Sequence, residues 1–158
     1  MTSSRIFELA RKEQQSGYKI DASDYYDFPI ADRVMISEDQ EDDVNWLANF
    51  LHESCKIENG KLTVIAKEKY FQAQYDEFAE TLKEIQESLT PEAFNGSNPK
   101  ECLQFYRKLD HLNDLYSDEY GFYVNIVDGT EFQTLDEFLR NANNGETYSI
   151  LGSLEYHW

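Results

Sequence analysis

Basic residues are scarce. Fourteen Lys and Arg stand against 31 Asp and Glu, so the chain of 158 residues carries a formal charge of −17. A protein that grips duplex nucleic acid displaces counterions with Lys and Arg. Here the few cations are intermixed with acids, so direct nucleic-acid binding is disfavoured, and the aromatic residues lack the basic surround of a single-strand stacking platform. The same field repels an anionic membrane. Proline (three) and glycine (seven) are also sparse. No Pro/Gly/Ser-rich linker, internal repeat or low-complexity segment divides the chain, which predicts a single domain over residues 1–158. No run of ~18 apolar residues occurs, so no transmembrane helix is expected. The first 17 residues hold no apolar stretch long enough for a signal peptide, and a cytosolic, cytoplasmic protein is the expectation. The two cysteines, Cys55 and Cys102, form no CxxC pair. They predict buried free thiols on apolar helical faces rather than a disulfide framework.

Hydrophobic residues make up 41% of the chain and aromatic ones 15%, which excludes a wholly disordered protein. The clearest periodic stretch runs from Ala66 to Leu89. Phe71, Tyr75, Phe78, Leu82, Ile85 and Leu89 recur at steps of three and four, one stripe of a helix. This predicts a helical spine for the core. A second helix is expected over residues 38–54, opened by Ser37-Glu38-Asp39-Gln40, a capping-box pattern. Asn98-Pro99 and Glu101 open a third, with a stripe through Cys102, Phe105, Tyr106, Leu109, Leu112 and Tyr116. Thr90-Pro91 starts one helical turn. Thr134 with Glu137 is another capping box, and Gly145 supplies the stop.

Strand signals are shorter. Phe122 to Val127 is the strongest, followed by the Asp128-Gly129 turn and a short return strand. Lys61 to Ile65 is a candidate after the Asn59-Gly60 turn. Tyr18 to Ile20, Arg33 to Ile36, and a final strand or strand pair over residues 147–158 complete the set, with Gly152 marking a bulge or bend. Ser3 or Ser4 is expected to cap a short helix through Ile6, Phe7, Leu9 and Ala10. Helices in the middle and strands at the end predict an α+β fold, a small, mostly antiparallel sheet packed against a layer of helices.

Chemistry-bearing motifs are weak. His52, Cys55, Cys102 and His111 are of zinc-ligand type, but their spacing matches no common zinc module. Asp39, Glu41 and Asp43 imitate the start of an EF-hand loop. The sixth position is then Val44 and the twelfth Phe50, where the loop needs Gly and Glu. No GxSxG, HExxH or P-loop pattern occurs. Asp110, His111 and Asp114 read better as a polar helix face than as an acid/base cluster. His157 is expected to face solvent. The expectation is therefore no metal, no cofactor and no catalysis.

The acidity itself is the informative feature. Residues 21–53 carry a net −9 and residues 110–146 a net −8, around a nearly neutral centre. Such blocks attract basic partners. The expected contacts are Asp24, Tyr25, Tyr26 and Asp27 in an aromatic loop, Glu38, Asp39, Glu41, Asp42 and Asp43 at a helix start, and Asp114, Asp118 and Glu119 in the second block. In composition alone, acidic blocks beside aromatics resemble two kinds of inhibitor: the DNA-mimic, antirestriction-type protein whose carboxylates stand in for phosphates, and the acidic immunity protein that plugs a toxin's basic site. The resemblance implies a non-catalytic protein that binds a basic protein, possible partners including a nucleic-acid-acting enzyme. A small enzyme with a carboxylate-lined pocket is the alternative, and plain solubility is the bland one. A monomer is favoured over a homodimer, because acidic blocks repel.

Overall fold

The run Ile6-Phe7-Glu8-Leu9-Ala10 lies at the centre of a β-sheet, and all five of its residues are buried. The computed structural model describes residues 2–14, 17–129 and 131–158. Among them the chain runs through strand β1 (Ser3–Ala10), a 3-10 turn (Ala22–Tyr25), β2 (Arg33–Ile36), helix α1 (Gln40–Phe50), β3 (Cys55–Glu58) and β4 (Lys61–Val64). Helices α2 (Lys67–Ser88), α3 (Pro91–Asn95) and α4 (Pro99–Tyr116) follow. β5 (Tyr123–Ile126), β6 (Glu131–Thr134), α5 (Leu135–Asn141) and β7 (Thr147–His157) complete it. The fold is α+β, with five α-helices and an open, mostly antiparallel sheet of seven strands among the described residues. None of these helices is long and apolar enough to cross a membrane. The elements gather into two compact units, Met1–Tyr70 with Tyr120–Trp158, and Phe71–Glu119.

The first unit holds the sheet, in the order β3-β4-β7-β1-β5-β6, with β2 also paired to β7. One edge of β7 runs antiparallel to β1 from Ser149 to His157. Its other edge is divided: residues 147–149 pair with β4, and residues 154–157 pair with β2. In the gap, the Gln40 side chain takes the place of a strand. Its Oε1 accepts from the Ser153 N–H at 2.7 Å and its Nε2 donates to the Ser153 carbonyl at 2.7 Å. β1 carries a register shift here: Glu8 faces Gly152 but Leu9 faces Ile150, leaving Leu151 as the extra residue of a bulge. Gly152 sits at a φ of 154°, and a Cβ there would run into Ile20 Cδ1 and Gln40 Oε1. The backbone angle favours glycine there, and a Cβ would push the ends of the Ile20 and Gln40 side chains aside.

The residues predicted to form an N-terminal helix therefore form the central strand. Positions 6, 7, 9 and 10 satisfy a helical face, but an unbroken apolar run equally suits a strand covered on both faces. Tyr18 to Ile20 form no strand, whereas β2 falls where expected. Cys55 is buried but opens β3 instead of ending α1, which stops at Phe50. Asn59 and Gly60, at φ 52° and 71°, turn β3 back into β4.

One face of the sheet is covered by the loop of residues 18–32. Tyr25 and Phe28 pack there against Ile6, Leu154 and Tyr156, and the Phe28 ring meets Tyr123, Phe132 and Tyr156 edge-on at 4.9, 5.1 and 5.2 Å. On the other face Phe7 meets Phe122 at 5.8 Å, and Phe122 is met in turn by Trp46 at 4.9 Å and Phe50 at 5.5 Å. α5 starts with the predicted capping box, Thr134 and Glu137 bonding each other's backbone. After it, Gly145 at φ 94° leads into β7. Glu146 ties this turn, accepting from Asn143 N–H at 3.0 Å, Asn143 Nδ2 at 2.9 Å and the Tyr148 hydroxyl at 2.7 Å.

The second unit is a hairpin of α2, from residue 71 onward, and α4, joined through α3. Thr90 caps α3 at Ala93 N–H, and Asn98 caps α4 at Glu101 N–H, both ahead of a proline as predicted. Ser88 meets Lys108 at 3.4 Å, and Phe78 lies 6.4 Å from Tyr116. Later residues of α2 thus face earlier ones of α4, and the helices run antiparallel. α2 is not the spine expected of it. Phe71, Gln74, Phe78, Thr81, Ile85 and Ser88 are the residues turned from solvent, while Tyr75, Leu82 and Leu89 of the apolar stripe are 66%, 40% and 52% exposed. The packed face is rotated from the apolar stripe by about one residue position.

Two outcomes follow from this packing. Phe7→Ala should lose ~3–5 kcal/mol in urea denaturation, as for a buried aromatic, and Leu82→Ala less than ~1 kcal/mol. The backbone N–H of Asn143, its side chain and the Tyr148 hydroxyl hold the Glu146 carboxyl down at about 2, below its ordinary 4.5. A depressed carboxyl stabilises the fold above its unfolded value and loses that contribution as pH falls through its folded one. Glu146→Gln should therefore lower the melting temperature at pH 7, and the difference from wild type should vanish as pH approaches 2.

Candidate functional site

The aromatic loop is built by its own short-range bonds. Asp21 accepts from the Ser23 N–H at 2.9 Å and opens the 3-10 turn. This bond holds the Asp21 carboxyl below its usual range. The turn sends successive tyrosines in opposite directions. Tyr25 goes inward, where its hydroxyl donates to Glu8 at 2.7 Å and accepts from Asn125 Nδ2 at 2.7 Å. Tyr18 donates to the other Glu8 oxygen at 2.6 Å. Burial, and then the Glu8 carboxylate, push both tyrosine hydroxyls far above their ordinary range. Glu8 itself is 1% exposed. With both of its oxygens occupied by tyrosines, it fastens the loop to the sheet. Asp24, Tyr26 and Asp27 are left outside, Tyr26 at 87% exposure.

α1 is fastened in a similar way. The Ser37 hydroxyl accepts from Asp39 N–H at 3.3 Å and Gln40 Nε2 donates to the Ser37 carbonyl, so neither bond of the expected capping box is made; Asp39 is the N-cap, and its side chain makes no cap bond. Asp43, predicted as a contact residue, is 4% exposed. Its oxygens accept from Arg5 Nε at 2.8 Å and from the Ser153 hydroxyl at 2.7 Å. Arg5 continues to Glu155 at 3.4 Å, and Glu155 to His157 Nε2 at 3.4 Å. His157 is thus largely enclosed, with a buried Nδ1 that has no hydrogen-bond partner among the described residues. Asp43 and Tyr25 are corrections to the predicted surface: both face inward, because each satisfies a polar group that the sheet buries.

Glu38, Asp39, Glu41 and Asp42 are exposed around the first turn of α1, where the unpaired N–H groups favour negative charge. Together with Asp24 and Asp27 they make six exposed carboxylates. None of the six forms an ion pair among the described residues. The loop and the helix start come together at Gly152, which Ile20 approaches from the one and Gln40 from the other. Asp114, Asp118 and Glu119, also exposed, belong to the second unit, so the predicted contacts divide into two sets.

The zinc-type side chains each have their own surroundings. His52 Nδ1 lies 2.9 Å from the Asn49 carbonyl, and His111 lies 3.1 Å from Glu77. Burial pushes the Cys55 thiol up to about 11. Cys102 is half-buried in α4. No group of three metal-ligating side chains occurs among the described residues. The sequence reading missed Glu8. The signal was there, an acid in the middle of a five-residue apolar run, a position that a solvated helix face would not require.

No protein-family model matches the sequence, and neither a curated protein nor a solved structure matches it. The contrast between neighbouring acids is directly testable. Asp43→Ala strands a partly buried Arg5 and should lose ~3 kcal/mol. Asp42→Ala, one position earlier, should stay within ~0.5 kcal/mol of wild type. Equal losses in chemical denaturation would remove the structural role of Asp43.

Proposed function

We propose that the chain is a non-catalytic protein that binds a basic protein surface in the cytoplasm. Asp24, Tyr26, Asp27, Glu38, Asp39, Glu41 and Asp42 make the principal contact, and Asp114, Asp118 and Glu119 are a second acidic set. The single observation behind this reading is that six exposed carboxylates of the first unit have no cation partner among the described residues. The chain holds 14 basic side chains, yet the acid of this run that has one, Asp43, spends it inside the fold. Close carboxylates repel one another, and the α1 dipole offsets only part of that cost. A basic partner relieves it. Tyr26 adds rigid contact area that a solubility surface does not need. The partner class that fits is a protein that itself binds polyanions, such as a nucleic-acid-acting enzyme, for which the carboxylates stand in for phosphates.

A pull-down from cell extract at low and high salt tests this. The expected partners bind at low salt, and binding weakens steeply as salt rises, since charge steers their association. Neutralising Glu41, Asp42 and Asp39 together, as Gln and Asn, should abolish capture while leaving the fold unchanged. Partners that are indifferent both to salt and to this variant would refute the reading.

A further inference from the structure

We infer that the α2–α4 hairpin docks a basic amphipathic helix of the partner. The inference rests on the reading that the partner is basic, and adds a second, apolar contact to it. Tyr75 and Leu82 on α2 and Leu89, the residue just after it, follow one another at steps of seven, 66%, 40% and 52% exposed. On α4, Tyr106, Leu109 and Tyr116 are 63%, 42% and 73% exposed. These six lie on one side of the hairpin. At ~100° per residue, Glu77 and His111 fall on the opposite flank of their helices from the apolar six, and they bond each other across the hairpin at 3.1 Å. In an antiparallel pair the remaining flanks then share the other side. A hairpin that is polar behind and apolar in front leaves an exposed patch of the kind that marks an interaction site.

Size and charge select the occupant. The row from Tyr75 to Leu89 spans ~21 Å, the length of a helix of about 14 residues. Three tyrosines and three leucines at these exposures offer roughly 600–700 Å², close to the ~800 Å² per partner of an ordinary interface. Apolar anchors at steps of three, four and seven on an incoming helix match such a row. Residues 71–119 carry 11 acidic and four basic side chains, a net −7. Asp110, four positions after Tyr106, borders the row on α4, and Asp76, Lys83 and Glu87 lie farther round the outer face of α2. A second copy of the hairpin would bring −7 against −7, whereas a helix with Lys or Arg beside its apolar stripe neutralises the border. Its cations also sit well over the tyrosine rings.

The probe is a labelled peptide of leucine and lysine, ~18 residues long, with its leucines on one helical face. A scrambled peptide of the same composition is the control. Fluorescence anisotropy with the full chain should show the patterned peptide binding at least ~10-fold tighter than the scrambled one, with a gain of helical circular dichroism. Leu82→Gln with Leu109→Gln should remove that advantage. Asp76→Asn with Asp110→Asn, which alters no packed residue, should weaken binding and flatten its salt dependence. The triple neutralisation at Asp39, Glu41 and Asp42 should leave the advantage intact. Equal binding of the two peptides, absence of binding, or indifference to the leucine variant overturns the inference. Equal binding that the triple neutralisation abolishes would sink it while supporting the acidic site of the first unit. A concentration-dependent dimer in light scattering, lost in the leucine variant, would assign the face to a second copy and overturn it as well.

Discussion

The first unit depends on how β7 shares its two edges. Eleven residues of one strand have to satisfy β1 on one side and, on the other, two short strands that arrive from different parts of the chain. A flat strand would leave an unpaired edge between them, and exposed edge groups recruit other chains. The bulge at Leu151 and Gly152 bends β7 at that gap, and the Gln40 amide supplies the donor and acceptor that a strand would have supplied. Gln40 is the first residue of α1, so closing the edge also fixes where the acidic helix starts. Ile20 needs the space above the same glycine, so the start of the aromatic loop is fixed there too.

Two buried acids complete the attachment. Leaving either without its partners would cost several kcal/mol. Glu8 is satisfied by two hydroxyls from the loop and Asp43 by a guanidinium and a hydroxyl from the sheet. Each forces the element that supplies or receives those bonds into one position. Burial of a polar group here specifies the arrangement more than it stabilises the core. Because Tyr25 and Asp43 are held inward, their chain neighbours Tyr26 and Asp42 are held outward. The exposed acidic surface is thus set by the buried one.

Features governed by local chemistry were legible in the sequence. The caps at Thr90, Asn98 and Thr134, the Asn59-Gly60 turn, the bend at Gly152 and the strands β2 and β5 depend on residues within a few positions, and the structure has them where the pattern predicts. Features decided by tertiary contact were not. Ile6 to Ala10 fit a helix face and a buried strand equally, and only pairing with β5 and β7 settles which. The stripe from Phe71 to Leu89 is legible as helical, but its burial is not, since the face turned from solvent runs through Thr81 and Ser88 instead of Leu82 and Leu89. Asp43 looked like its neighbours in an acidic run; Arg5, 38 positions away, distinguishes it. The fold class was therefore readable and the separation of structural from solvated acids was not.

Solvated carboxylates and exposed apolar side chains contribute differently to recognition. Charge acts over about a Debye length, ~8–10 Å at physiological salt, and so raises the rate at which a basic partner arrives in a productive orientation. It contributes little to how long the partner stays, because the same charges are well hydrated when free. Residence comes from contacts that exclude water, and these require large, rigid side chains left exposed in the unbound protein. An acidic surface evolved only for solubility has no reason to carry such groups. In the first unit Tyr26, between Asp24 and Asp27, is one. In the second, the row through Tyr75, Leu82 and Leu89 is larger. Strong negative charge and uncovered apolar surface supply these two contributions separately, and this chain carries both.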